Sequence, residues 1–324
     1  FSKFCGAKYA ISCANGTDAL TIALKSLNLP NNSEVIIPAM TYCSTAFSVI
    51  NANLKPILAD VEKLGSTICI KDLKKKINHK TKVILPVHLY GSVAKLNEIK
   101  EIIKSKKIYL IDDCAQAHGA YDDSNIRVTH KVKIGAATDL SCFSLYPGKN
   151  LGAYGDAGII TTNNLNFYKK LRKLRNLGSE EKFMHEHVGL NSRLDTIQAI
   201  ILNEKIKNLN LYNQKRIKIA KFYTNKIINP KITKINYSKS CVFHQYVILV
   251  KNRKKLIKFL KQNKIQFGFH YPYAIHQLRV FKQQYKRKSF KNAERLAKQS
   301  LSLPIDPNLS QKHLQFIVNT LNKF

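Results

Sequence analysis

The sequence predicts an α/β protein with a mostly parallel sheet and helices on both faces. Three observations predict it. Short apolar runs alternate with helix-length amphipathic segments through the first half of the chain, the pattern of strand–helix–strand units. Those runs read as buried strands, apolar at nearly every position. The 324 residues, 44% of them hydrophobic, suffice for one large domain and a smaller one.

The elements follow in order. The chain begins at Phe1, without Met, inside a helical pattern over 1–6, which suggests that the natural N-terminus lies further upstream. Segments 35–38, 56–59, 83–86 and 108–111 read as strands, and 17–27, 44–51, 70–77 and 95–104 as the helices between them. Segments 139–144 and 158–162 add two strands around a glycine-punctuated loop. One helical pattern then runs from about 194 to 228, with apolar residues at helical spacing. Beyond it the pattern changes to a strand at 242–250, a helix at 253–262, a strand at 265–269 and a helix at 310–321 capped by Ser310. The division expected is a large domain over 1–230 and a small α+β domain over 231–324.

Composition narrows the function classes. Lys and Arg number 54 against 20 Asp and Glu, a formal charge of +34. Such a charge fits an anionic polymer or membrane, or a lysine-rich composition on solvated faces. The lysines are spread through amphipathic stretches such as 201–231 and 251–264, and no nucleic-acid motif accompanies them. Solvated faces that also attract an anionic substrate are the better reading, with neither nucleic acid nor membrane as partner. The stretch 279–291 is unusually basic. No apolar run is long enough to span a bilayer. Seven cysteines lie dispersed, without CxxC or histidine clusters. They predict reduced, mostly buried thiols, a cytoplasmic protein and no zinc site.

Five segments carry candidate chemistry, and in an α/β sheet their loops meet at the carboxyl ends of the strands. Asn15-Gly16-Thr17-Asp18 opens a helix whose free amides suit a phosphate; alone it is as well explained as an ordinary helix cap. Pro38-Ala-Met-Thr41-Tyr42 follows a strand, and Tyr42 can stack on a flat ring. Ile111-Asp112-Asp113-Cys-Ala-Gln116-Ala-His118 ends an apolar strand with two carboxylates, which burial penalises without a positive partner. A pyridinium nitrogen is such a partner; a metal held by Asp112, Asp113 and His118 is the rival, disfavoured because no further ligand cluster falls at a matching strand end. Ser144-Leu-Tyr-Pro-Gly-Lys149-Asn-Leu-Gly places a hydroxyl and a lysine in a loop that glycine lets approach a ligand closely. A lysine amine condenses with an aldehyde once its pKa is lowered. Asn191-Ser-Arg193 offers a further phosphate or carboxylate contact, or a helix cap. Together the set asks for an aldehyde, an aromatic ring and a phosphate in one molecule. Pyridoxal 5′-phosphate has all three.

With these motifs on the page, the sequence resembles the DegT/DnrJ/EryC1/StrS family of sugar aminotransferases, fold-type-I enzymes of the aspartate-aminotransferase type. The likeness runs through Asn-Gly-Thr-Asp-Ala-Leu at 15–20, Pro-Val-His-Leu-Tyr-Gly at 86–91, Asp113 with Ala-Gln-Ala-His-Gly, and the long motif at 143–158. It continues through Arg175-Asn-Leu-Gly-Ser, Asn191-Ser-Arg-Leu-Asp, His270-Tyr-Pro and Leu301-Ser-Leu-Pro.

The resemblance implies that Lys149 is the covalent lysine and Asp113 the partner of the pyridine nitrogen. It places Gln116 near the phenolic oxygen and Tyr42 on the ring, and gives the phosphate to Gly16, Thr17 and Ser144. It implies a homodimer with shared active sites, in which Asn191 or Arg193 reaches the second site. It puts His270, Tyr271 and His276 along the sugar pocket. It implies transfer of nitrogen from glutamate to a nucleotide-diphosphate keto-6-deoxyhexose, at C3 on the strength of Tyr-Pro-Gly-Lys-Asn-Leu-Gly-Ala. Amination at C4 of a UDP-, GDP- or dTDP-linked sugar is the alternative, and a basic nucleic-acid-binding regulator on this scaffold is the rival from another class. Relatives that dehydrate replace the lysine with histidine, so Lys149 speaks against that chemistry. Asp112, often Glu in relatives, and the stretch 136–138 depart from the common pattern.

Overall fold

The computed structural model describes residues 1–122, 132–181 and 183–324. In chain order its first part comprises α1 (Ser2–Cys5), β1 (Tyr9–Cys13), α2 (Gly16–Ser26), β2 (Glu34–Pro38), α3 (Cys43–Asn51), β3 (Lys55–Ala59), α4 (Ile70–Lys76) and β4 (Thr81–Ile84). Next come α5 (Leu96–Ile103), β5 (Tyr109–Asp113), β6 (Leu140–Ser144), β7 (Gly158–Thr162), α6 (Leu165–Leu174), α7 (Thr196–Lys205) and α8 (Leu209–Lys226). The rest comprises β8 (Ile232–Lys234), β9 (Tyr246–Val250), α9 (Arg253–Gln262), α10 (Lys291–Gln299), β10 (Ser300–Leu303) and α11 (Gln311–Lys323).

The large sheet has the order β1-β7-β6-β5-β4-β2-β3. Strands β3, β2, β4, β5 and β6 run parallel, and β7 and β1 close the edge antiparallel. The apolar runs are continuous because both faces are covered. Val35, Ile37, Val83, Ile111, Cys142 and Ile160 join one core with α2, α3 and α6. Their alternate neighbours Ile36, Ile84 and Leu110 pack with α4 and α5, while Phe143 and Ile159 pack with Leu202 and Leu209. The period of two, invisible in composition, is thus visible in packing. The fold-type-I expectation holds.

Several local expectations are corrected. The helical pattern over 194–228 is two helices, α7 and α8, joined by a 3₁₀ turn at Ile206–Asn208, with no proline or glycine to announce the break. The strand expected at 242–250 begins at Tyr246, because Val242 and Gln245 donate instead to the carbonyls of Gly91 and Tyr90. The strand expected at 265–269 is a single antiparallel bridge between Gly268 and Ser302. Strands β1, β8 and β10 and helices α6 and α10 were not anticipated. The small sheet, β10-β9-β8, is antiparallel. Its core takes in Ala220, Tyr223 and Ile227 from α8 and its end, and Leu314, Ile317, Val318 and Leu321 from α11. Ser310 does cap α11, accepting from the His313 amide at 3.3 Å.

Candidate active site

The carboxyl edge of the parallel strands gathers the candidate residues. β2 ends at Pro38 and leads to Tyr42, which precedes α3; β5 ends at Asp113; β6 ends at Ser144. Antiparallel pairing brings in the fourth strand: Ser144 is registered with Gly158 and Gly158 with Cys13. The start of α2 therefore falls beside the end of β6.

The two adjacent acids face opposite sides of the sheet, as strand geometry requires. Asp112 is fully buried and fully engaged. Its Oδ2 lies 3.0 Å from His88 Nε2, and its Oδ1 accepts the Thr138 hydroxyl at 2.6 Å. His88 Nδ1 accepts the Ala94 amide at 3.0 Å, so the ring proton sits on Nε2 and is donated to Asp112. Burial pushes the Asp112 pKa up, but the bonds from His88, Ser141 and Thr138 outweigh it and leave the carboxyl below its ordinary value.

Asp113, also buried, has neutral hydrogen-bond partners among the described residues, the Thr45 hydroxyl at 2.9 Å and the Ala115 amide at 3.1 Å. Burial raises its pKa above the ordinary value despite those bonds and the charge of Lys149. The carboxylate is thus short of a cation. The potential metal-ligand atoms that cluster among the described residues are those of His88, Asp112 and Cys114, not the set Asp112, Asp113 and His118.

Lys149 occupies the turn after β6, its amide bonded to the Tyr146 carbonyl at 2.9 Å. Its amine makes no hydrogen bond among the described residues. Burial lowers its pKa, and the negative charge of Asp113 works the other way. Gly152 is obligatory in this turn, since a Cβ there would stand 2.3 Å from the Pro147 carbonyl oxygen.

The anion end is equally specific. Asn15 caps α2 by accepting the Asp18 amide at 2.8 Å, which leaves the Gly16 and Thr17 amides pointing out of the helix start. A Cβ at Gly16 would lie 2.6 Å from Ser144 Cβ, so glycine is what lets this helix start approach the Ser144 hydroxyl. Thr17 Oγ1 donates to Ser44 Oγ at 2.7 Å and adds two hydroxyls nearby.

Between these ends lie the aromatic groups. The Tyr42 and Tyr271 rings are 5.4 Å apart, and Tyr42 is 55% exposed. Gln116 donates to Tyr271 Oη at 3.0 Å and accepts the Tyr90 amide at 2.6 Å. The His270 carbonyl accepts the Tyr90 hydroxyl, and its Nδ1 lies 2.7 Å from Ser302 Oγ. Gln116, His270 and Tyr271 thus form one linked group under the cleft. His276 stands apart, buried against the Phe290 ring and 3.1 Å from Glu294 of α10. Asn191 and Arg193 are exposed, bridging to Asn176 and not to the Lys149 group; Ser192 between them anchors the segment to Asp18 at 2.6 Å.

Sequence reading missed the layer behind these groups: His88, Thr45, Asn150, Asn213 and His244. His88 and Asn150 lie inside quoted motifs, but nothing in their spacing assigns them a partner.

The residues fit pyridoxal phosphate on the structure's own terms. The amine is buried with its pKa lowered, the carboxylate lacks a cation where a ring nitrogen would supply one, and Gly16 brings the helix start against Ser144, where a phosphate would be held. The class defined is that of the pyridoxal-phosphate enzymes that move amino groups. The chain belongs to the DegT/DnrJ/EryC1/StrS aminotransferase family, whose model matches residues 1–322. It is 36% identical over 326 residues to a dTDP-3-amino-3,6-dideoxy-alpha-D-galactopyranose transaminase of Aneurinibacillus thermoaerophilus, covering 100% of this chain and 88% of that protein. It is also 36% identical over 327 residues to a pleiotropic regulatory protein of Geobacillus stearothermophilus, covering 98% of this chain and 85% of that one. A crystal structure of S. venezuelae DesV in complex with a ketimine intermediate superposes with a TM-score of 0.94 at 31% identity, covering 99% of this chain and 86% of that chain. The chain is an aminotransferase, and its cofactor is pyridoxal phosphate.

Proposed function

We propose that the protein transfers an amino group from glutamate to the C3 keto carbon of a nucleotide-linked 6-deoxyhexose. The observation that carries the sugar and its position is the full-length 36% identity to a dTDP-3-amino sugar transaminase. The Tyr146-Pro-Gly-Lys-Asn-Leu-Gly-Ala153 loop supports the same reading, and the formal charge of +34 favours a doubly phosphorylated substrate.

In this reading bound pyridoxal phosphate supplies an aldehyde for amine exchange and a ring that takes up electrons. Lys149 Nζ would hold the cofactor and, once free, would carry a proton between the amine-bearing substrate carbon and the cofactor carbon on the other side of the nitrogen. Its burial lowers the pKa of the amine, which favours that task. Asp113 keeps the ring nitrogen protonated. The Gly16 and Thr17 amides and the Ser144 hydroxyl hold the phosphate, Tyr42 covers the ring, and Gln116 lies near the phenolic oxygen. His270, Tyr271 and His276 line or support the sugar side, His276 at one remove through packing. Two copies share each site, with Asn191 or Arg193 supplied across the boundary. Exposed Tyr146, Tyr154, Ile197 and Ile200 offer the apolar surface such a boundary needs. The domain boundary near 230 and a cytoplasmic setting belong to the same reading; among the described residues no helix is long and apolar enough to cross a membrane.

The test is incubation of the loaded enzyme with glutamate and a panel of 3-keto and 4-keto nucleotide sugars. Formation of 2-oxoglutarate with a 3-amino product, read by mass and NMR, is expected. A 4-amino product would move the position to C4, and no 2-oxoglutarate would remove the donor. The relative named a pleiotropic regulatory protein, together with the basic charge, favours a second reading as a regulator. Steeply salt-dependent DNA binding by the cofactor-free chain would establish it.

A further inference from the structure

Asn150 follows Lys149 directly, and its side chain joins three distant parts of the chain. Its Nδ2 donates to Asn213 Oδ1 of α8 at 2.9 Å and to the Val242 carbonyl at 3.2 Å. Its Oδ1 lies 3.0 Å from His244 Nδ1. The Val242 carbonyl can only accept, which fixes the amide orientation. His244 must therefore donate from Nδ1. Asn213, buried, passes the chain on by donating to the His118 carbonyl at 2.7 Å.

The close approaches are built into the backbone. Gly119 has φ +84, and a Cβ there would stand 2.9 Å from Asn213 Nδ2. Gly91 has φ +87, and a Cβ there would meet the Gln116 carbonyl and Val242 Cγ2 at 3.0 Å and the His244 amide at 3.1 Å. Two glycines in conformations that side chains rarely adopt thus admit the three partners of Asn150, Asn213 at Gly119 and Val242 and His244 at Gly91. Val242 also donates to the Gly91 carbonyl at 3.2 Å, which ties the segment to the loop before α5.

We propose that Asn150 is the positioning residue for Lys149, and that through it the 242–244 segment and α8 together set where the lysine amine stands. It rests on Lys149 being the reactive amine. A turn between β6 and β7 with no such anchor would leave the lysine free to swing toward water. An amine misplaced by about 1 Å loses on the order of 10²-fold in rate. The charge of Lys149 also bears on His118, His244 and His270, whose pKa values all fall below the ordinary one, chiefly through burial.

The experiment compares N150A, N150D, H244N, H244F and K149A. The first readout is competitive acylation of the cofactor-free full chain across pH, with Lys149 modification followed by mass spectrometry. The second is kcat and KM of the loaded enzyme with glutamate. N150A is expected to shift the labelling midpoint of Lys149 upward and to lower kcat by about tenfold or more with KM little changed. N150D does not rescue at neutral pH, because a carboxylate has no donor for the Val242 carbonyl. H244N rescues, since its amide nitrogen can replace the Nδ1 donor, whereas H244F does not. Thermal melting identifies variants that fail to fold, and the H244N and H244F pair keeps the test sharp if N150A is one of them. A parental labelling midpoint and kcat in N150A, or equal behaviour of H244N and H244F, would overturn the proposal. Full turnover by K149A would instead sink the reading of Lys149 on which it rests.

Discussion

The two sides of the end of β5 are built from neighbouring residues and solve opposite problems. Behind the sheet, Asp112, His88, Thr138 and the Ala94 amide form a closed set in which the carboxylate oxygens and both ring nitrogens have partners. In front, among the described residues, Asp113 is held by neutral donors alone and the Lys149 amine has no hydrogen bond. The closed side stabilises; the open side carries unmet demand, which a ligand satisfies. Unmet demand at a strand end is a better pointer to chemistry than the presence of charge, since both sides carry a carboxylate.

The largest expected break of this contrast is Lys149→Ala. Turnover of glutamate to 2-oxoglutarate should vanish, and borohydride treatment should no longer fix the cofactor to the chain. Turnover retained by this variant would remove the open side's central claim.

Asp113→Asn comes next and sharpens the contrast by splitting with cofactor. The loaded enzyme should lose on the order of 10²-fold in kcat, since the ring nitrogen loses its counter-charge. The cofactor-free chain should melt no lower than the parent at neutral pH. Asp113 has a raised pKa in the folded chain, so its contribution is present below the unfolded value and is lost as pH rises through the folded one. Removing the charge removes that loss. A cofactor-free variant that melts well below the parent would place Asp113 on the stabilising side instead.

Asp112→Asn tests the closed side. The His88 proton on Nε2 would then meet an amide or lose its charged acceptor, and about 3 kcal/mol of stability should go, read by urea unfolding. Asp112 has a lowered pKa, so its contribution is present above the unfolded value and is lost as pH falls through the folded one. The variant should lack that acid-side loss. Ser144→Ala should have the smallest effect: cofactor affinity falls by about fivefold, one hydrogen bond's worth, measured by cofactor titration. No change in affinity would take Ser144 out of the anion cradle.

The sequence made much of this legible for reasons that differ by region. Strands β2 to β7 were readable because burial on both faces forces unbroken apolar runs. β1 was not, since Tyr9, Ala10 and Ser12 are only half-buried at the sheet edge. β10 hides as Ser-Leu-Ser-Leu, whose leucines join the small core and whose serines are buried on the other face, in register with Val247 and Leu249. The residues proposed to touch the cofactor stood in glycine-marked loops, where chemistry leaves local traces. The layer behind them left none: Asn150 and His244 are 94 residues apart, and a hydrogen bond across that distance is a property of the fold and not of any window of sequence. Asn191 and Arg193 were legible as a motif, yet they sit outside this chain's own cluster.

The edge strand β1 also sets an order of events. Its register partner is β7, and the serine that completes the start of α2 lies on β6. A chain emerging from the ribosome makes the helix early and its neighbours much later. The pairing of the helix start with Ser144 therefore forms only once about half of the chain has emerged. Until β6 and β7 have left the exit tunnel, the helix start at Gly16 stands without the Ser144 wall, and a nascent chain cut short before them never brings the two together.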